Sequence, residues 1–188
     1  MLQQGSGEHV TTATRNQRRV ALSLALVFLY LAVSACTQRE EQIVRGGSVG
    51  SFYSLSLPDL SGASVAFQSY QGKILVIEFF ASWCGPCKET VPAIQAVHRQ
   101  FGSRQDVAVI GVSLDAESSR DAVKIFAQRH GVTFPVFLDA GQIRQFTGVY
   151  MVPTTLIIDR KGAVHVRLSG AQKKLKERIA REVDELLK

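Results

Sequence analysis

Two cysteines stand close together in Trp83-Cys84-Gly85-Pro86-Cys87. Val76, Ile77, Phe79 and Phe80 ahead of them read as a buried strand, and residues 88–101 read as a helix. Cysteines at i and i+3 on the first turn of a helix share a face and lie near enough to close a disulfide. The first would sit at the helix N-terminus, where unpaired N–H groups and the helix dipole favour a thiolate. The thiolate is the nucleophile in disulfide exchange. The spacing therefore points to one dithiol that trades electrons with other thiols.

Two inert readings compete with this one. A tetrahedral zinc site needs about four Cys or His ligands. The remaining cysteine is Cys36, and His9, His98, His130 and His165 are scattered, so no metal ligand set accompanies the pair. A purely structural clip across so short a loop would stabilise little through chain entropy.

The elements that must hold the pair can be traced along the chain. Residues 52–57 read as an opening strand; Pro58-Asp59 and Ser61-Gly62 mark turns, and residues 65–67 read as a hairpin partner. Residues 74–80 form a central buried strand broken by one acid, Glu78. Pro92 is expected to kink the helix that follows the cysteines. Residues 107–113 are a second buried strand. Residues 118–130 read as a helix ended by Gly131, with Ala122, Ile125 and Phe126 on its apolar face. Residues 134–138 are short and extended, and 141–146 a short helix. Residues 154–158 and 163–168 form a hairpin around Asp159-Arg160-Lys161-Gly162. Residues 173–187 close the chain as a helix, with Leu175, Ile179, Val183 and Leu186 at helical spacing. Strands alternating with helices, then a terminal hairpin, argue an α/β fold with a central mixed sheet flanked by helices.

A length of 188 residues suits one domain plus a leader, and a 46% apolar composition suffices for a packed core. The net charge of +6 includes +2 from residues 1–35 and is otherwise spread out. The basic residues at 173–181 interleave with acids, as on a solvated amphipathic helix, and no nucleic-acid motif accompanies them. Arg15, Arg18 and Arg19 precede the apolar run at 20–33. That run matches the core of a secretory signal and is short of the ~20 residues that span a bilayer. It ends in Val33-Ser34-Ala35-Cys36, which resembles the bacterial lipobox. The resemblance implies that Cys36 becomes the lipid-bearing N-terminus. An uncut membrane anchor and soluble secretion are the other readings. The polar stretch before the arginines is long for a signal, so the true start of translation is open. Residues 37–50, polar with Gly46, Gly47 and Gly50, read as a flexible tether.

Residues 51–187 resemble the TlpA/ResA-like group of membrane-tethered thioredoxin-fold thiol-disulfide oxidoreductases of bacteria. The carrying residues are the segment at 52–60, Tyr70-Gln71-Gly72-Lys73, Phe79-Phe80-Ala81-Ser82-Trp83-Cys84-Gly85-Pro86-Cys87-Lys88-Glu89, Pro92, and Val152-Pro153-Thr154-Thr155-Leu156-Ile157-Ile158-Asp159 with Lys161-Gly162. The resemblance implies a thioredoxin-like fold with an N-terminal β extension. The long stretch between the strands at 107 and 154 resembles the insertion typical of this group. The expected layout is a lipoprotein-type signal peptide at 1–35, a tether at 36–50 and a thioredoxin-like domain at 51–188.

By the same resemblance Cys84 is the attacking thiol and Cys87, one turn deeper, the resolving one. Gly85-Pro86 is the pair found in thioredoxins and leans reducing. Pro153 is expected to be cis, with Val152 presenting its backbone to an extended substrate. The position of Glu78 carries a buried acid in thioredoxins that serves proton transfer to the deeper cysteine. Burial would raise its pKa and fit it for acid–base work. The competing reading is a strand-end acid that meets solvent or a lysine. Trp83 either packs beside the loop or shapes access to Cys84. Glu89 either places favourable charge at the helix N-terminus or tunes Cys84. His98 and His130 read as surface residues.

The activity so implied is thiol-disulfide exchange in the bacterial cell envelope, with no cofactor and no metal. The expected partners are proteins carrying disulfides or dithiols, a membrane thiol-disulfide electron donor, and the membrane itself through the lipid; no nucleic acid is expected. A reductase is the leading reading, with cytochrome c haem-site cysteines or copper-site cysteines as family-suggested clients. A disulfide-forming oxidase and a redox-independent assembly or binding factor are the alternatives. A peroxidase on a related fold would carry a Thr-x-x-Cys setting, which is absent here.

Overall fold

The computed structural model describes residues 53–139 and 141–188. The expected signal peptide, the tether, Cys36 and Phe52 lie outside the described residues. A small antiparallel pair, β1 (Ser56–Pro58) and β2 (Ser64–Ala66), precedes the main sheet. The sheet has five strands in the order β5-β4-β3-β6-β7. β3 (Ile74–Phe80), β4 (Val107–Ser113) and β5 (Val136–Leu138) run parallel. β6 (Thr154–Ile158) and β7 (Val164–Ser169) are antiparallel additions beside β3. The mixed sheet expected from the alternation of elements is therefore present.

Both faces of this sheet are covered, which is why β3 is buried at every position and reads as a continuous apolar run. Side chains alternate across a strand. Ile74, Val76 and Phe80 face one core with α1 (Cys87–Phe101), α2 (Arg120–Arg129) and α4 (Leu175–Leu186). Leu75, Ile77 and Phe79 face the other, built with Leu57, Phe67, Phe137 and Ile143 from the β1–β2 extension, β5 and the short α3 (Ile143–Thr147). Glu78 falls by this alternation on the α1 side.

Several expectations shift. Among the described residues the opening strand covers Ser56–Pro58, and Phe67 begins a 3₁₀ turn instead of ending β2. α1 starts at Cys87 and continues through Pro92 to Phe101. A 3₁₀ turn, Glu117–Ser119, leads into α2. The apolar face of α2 is a correction: Val123, Phe126 and Ala127 are buried, while Ala122 and Ile125 are exposed. Both sets satisfy an i, i+3, i+4 pattern, and spacing alone does not choose between them. Gly148 ends α3 in the left-handed region, at φ 64°, where a side chain would be strained.

Candidate active site

β3 delivers the chain to the dithiol. Beyond Phe80 the backbone turns, with Cys84 N–H donating to the Ala81 carbonyl at 3.1 Å. An anchor holds this turn. The buried Asp115 carboxylate accepts from the Ser82 N–H (2.7 Å), the Ser82 hydroxyl (2.6 Å) and the Ser113 hydroxyl (2.6 Å). Cys84 and Cys87 are joined as a disulfide with Cα atoms 5.4 Å apart. Cys87 is fully buried, and Cys84 keeps 4% of its surface in contact with solvent. The Cys87 N–H, the first of α1, donates to Cys84 Sγ at 3.2 Å. A backbone donor aimed at that sulfur favours its anionic form once the bond is reduced.

The loop opposite comes from the strand beside β3. Register pairs Phe79 with Thr154, so the residue before Thr154 lies level with the end of β3. That residue is Pro153, and the Val152–Pro153 bond is cis. Pro153 is buried; Val152 packs partly against the core that contains both cysteines. A proline there leaves no N–H to bond elsewhere. Trp83, Tyr150 and Met151, which flank the two loops in sequence, are each about 70% exposed. Trp83 therefore does not pack into the fold. Gly85 and Pro86 are exposed as well.

Glu78 is fully buried. The reading in which it meets solvent or a lysine fails. The Thr90 hydroxyl from α1 lies 2.8 Å from Oε1, and the Thr155 hydroxyl from β6 donates to Oε2 at 2.6 Å. Burial pushes its pKa up to about 7, against the lowering effect of these two hydrogen bonds. Its cross-strand neighbour on β4 is Gly111, where a side chain would run into Phe134 and Phe80. Thr90, Thr155 and Asp115 are the site residues that sequence reasoning missed. Only the Asp in Ser113-Leu114-Asp115 at a strand end offered a signal, and it was a weak one.

Glu89 is exposed on the first turn of α1. The His130 ring lies 4.5 Å from the Phe126 ring, and His98 packs edge-on to Phe134. Burial lowers the His98 pKa. Among the described residues, His165, Glu182 and Glu185 form a group with metal-ligand types, and it contains no cysteine.

A parallel-to-antiparallel sheet with a redox pair at the start of the following helix and a cis proline alongside defines a thioredoxin-fold thiol-disulfide oxidoreductase. Residues 51–167, more than half of the chain, match the AhpC/TSA family, and the chain belongs to it. Within that breadth it is a TlpA/ResA-like protein. It is 31% identical over 158 residues to the thiol-disulfide oxidoreductase ResA of Geobacillus thermodenitrificans, covering 84% of this chain and 88% of the relative. It is 34% identical over 110 residues to the thioredoxin-like protein YneN of Bacillus subtilis, covering 58% of this chain and 64% of that one, a little under two thirds. A Chlorobium tepidum structure assigned as a thiol:disulfide interchange protein DsbE superposes with a TM-score of 0.66 at 28% identity, over 78% of this chain and 100% of that chain. No helix among the described residues is long and apolar enough to cross a membrane.

Proposed function

We propose that this chain is a protein-disulfide reductase working outside the cytoplasmic membrane, held there by lipid on Cys36. The observation that carries the reading is the pairing of a nearly closed-off dithiol with a fully buried, easily protonated acid, Glu78, on the same side of the sheet. The Cys84 thiolate attacks a client disulfide, forming a mixed disulfide and releasing one client thiolate. Cys87 gives its proton to Glu78 and attacks Cys84 Sγ. The second client sulfur leaves as a thiolate, both client thiolates take protons from solvent, and the chain keeps the disulfide. Two electrons pass to the client, and a membrane thiol-disulfide donor restores them. Trp83, Gly85, Pro86 and Val152 shape the opening, and the backbone beside cis-Pro153 receives the client as an extended strand. The clients suggested by the family resemblance are haem-site cysteines of apocytochrome c and copper-site cysteines.

The test is the equilibrium potential of the Cys84–Cys87 couple against glutathione. A value near that of thioredoxin, about −270 mV, fits a reductase. A value near the oxidising extreme, about −120 mV, assigns the reverse direction, a disulfide-forming oxidase. Full complementation by the Cys84→Ala, Cys87→Ala double variant would instead indicate an assembly or binding factor.

A further inference from the structure

Thr90 has one hydroxyl proton and two acceptors. Its Oγ1 lies 2.8 Å from Glu78 Oε1 and 3.2 Å from the Cys87 carbonyl oxygen. Thr155, on the other carboxyl oxygen, has no second acceptor among the described residues. No charged side chain contributes to the setting of Glu78. It faces Thr90 from α1, Thr155 from β6 and Gly111 from β4. The cysteines that head α1 are tied in the disulfide.

These valences allow one arrangement in each protonation state. An ionised carboxylate only accepts, so both threonine hydroxyls donate to it. A protonated carboxyl must donate from one oxygen. Donation from Oε2 to Thr155 would leave the Thr155 proton with nowhere to go, which is costly in a buried site. Donation from Oε1 to Thr90 leaves the Thr90 proton free to turn to the Cys87 carbonyl. We infer that Thr90 is a positioning residue that fixes Oε1 as the oxygen Glu78 protonates and relays that protonation to the backbone of Cys87. No covalent bond to Thr90 breaks; its hydroxyl rotates while the acid proton arrives at Oε1. When Glu78 takes up the proton of Cys87, the cysteine's own carbonyl gains a hydrogen bond. The inference is set within the reaction proposed above, but its test needs no turnover.

The experiment uses the oxidised full chain with ¹³C-carbonyl cysteine and ¹³C-carboxyl glutamate, titrated by NMR, with Glu78→Gln assigning the Glu78 signal. In the wild-type protein the Cys87 carbonyl shift is expected to titrate with the same inflection as Glu78, and to stop doing so in Thr90→Val. Thr90→Ser restores it. The variants should also differ in how far they move the Glu78 inflection. Thr155→Val removes a donor to the carboxylate alone and raises it by about one pH unit. Thr90→Val removes a partner from both forms and raises it by less than half as much. A Cys87 carbonyl that stays flat through the Glu78 titration overturns the inference, and this reading needs only the wild-type fold. So does a Thr90→Val shift equal to or larger than that of Thr155→Val. A purely structural Thr90 would alter thermal stability without uncoupling the two titrations.

Discussion

Glu78 carries its charge at a cost, because burial opposes the carboxylate and two threonine hydroxyls offset only part of that. Its folded pKa, about 7, lies above the ordinary value of 4.5. The folded state therefore holds the proton more tightly than the unfolded state. The resulting stabilisation is complete below about pH 4.5 and is lost as pH rises through about 7. Glu78→Gln should lack this loss, so urea titrations of the two proteins should diverge by up to about 3 kcal/mol between pH 4.5 and 8. The kinetic counterpart is the resolving step. It should rise with pH as Glu78 ionises, and Glu78→Gln should slow it about a hundredfold. A rate unchanged by the substitution across pH 5–9 would remove Glu78 from the chemistry. The residue was legible as an acid in an apolar strand. Its partners were not: a threonine in a helix and one in a strand are ordinary, and Thr155 is 77 positions away in sequence.

The strand–loop–helix unit of β3 and α1 depends on neighbours that seat it. Asp115 fastens Ser82 through both backbone and side chain, two residues ahead of Cys84. Asp115→Ala leaves the Ser82 N–H without its acceptor and should cost about 2–3 kcal/mol by denaturant titration, with faster hydrogen exchange at Ser82. Gly111 gives room to Phe80 and Phe134, at 3.1 and 2.9 Å from where a Cβ would sit. Gly111→Ala should destabilise by about 1–3 kcal/mol by overpacking. The existence of nearly every element was legible from apolar periodicity and turn residues. The rotation of α2 was not, because Ala122-Val123 and Ile125-Phe126-Ala127 form a broad apolar stretch, and only packing on Phe80 and its neighbours selects Val123 and Phe126. The bounds of β1 were not legible for a related reason: a three-residue strand is fixed by its partner more than by its own pattern.

At the scale of the whole molecule, we propose that Trp83, Tyr150 and Met151, each exposed and close in sequence to the cysteines or to cis-Pro153, form the surface a client meets on reaching a dithiol that is otherwise shut in. Met151→Ala or Tyr150→Ala should raise KM for a protein disulfide by up to about tenfold, measured by client thiol release. The tether makes a separate prediction. In a bacterial host, Cys36→Ser should move the protein from the membrane fraction to the soluble envelope fraction or leave it as an unprocessed precursor, as expected when lipid is the anchor. Unchanged processing and membrane association would point to the uncut apolar segment instead.

The proposed reaction rests on one chemical asymmetry, in which the first cysteine captures and the second releases. Incubating Cys87→Ala and Cys84→Ala separately with a disulfide-bearing protein, and reading intact masses without reductant, addresses it in one measurement. The account predicts a stable covalent adduct through Cys84 in Cys87→Ala and little or none in Cys84→Ala. An adduct that forms only through Cys87, or in neither protein, would contradict it.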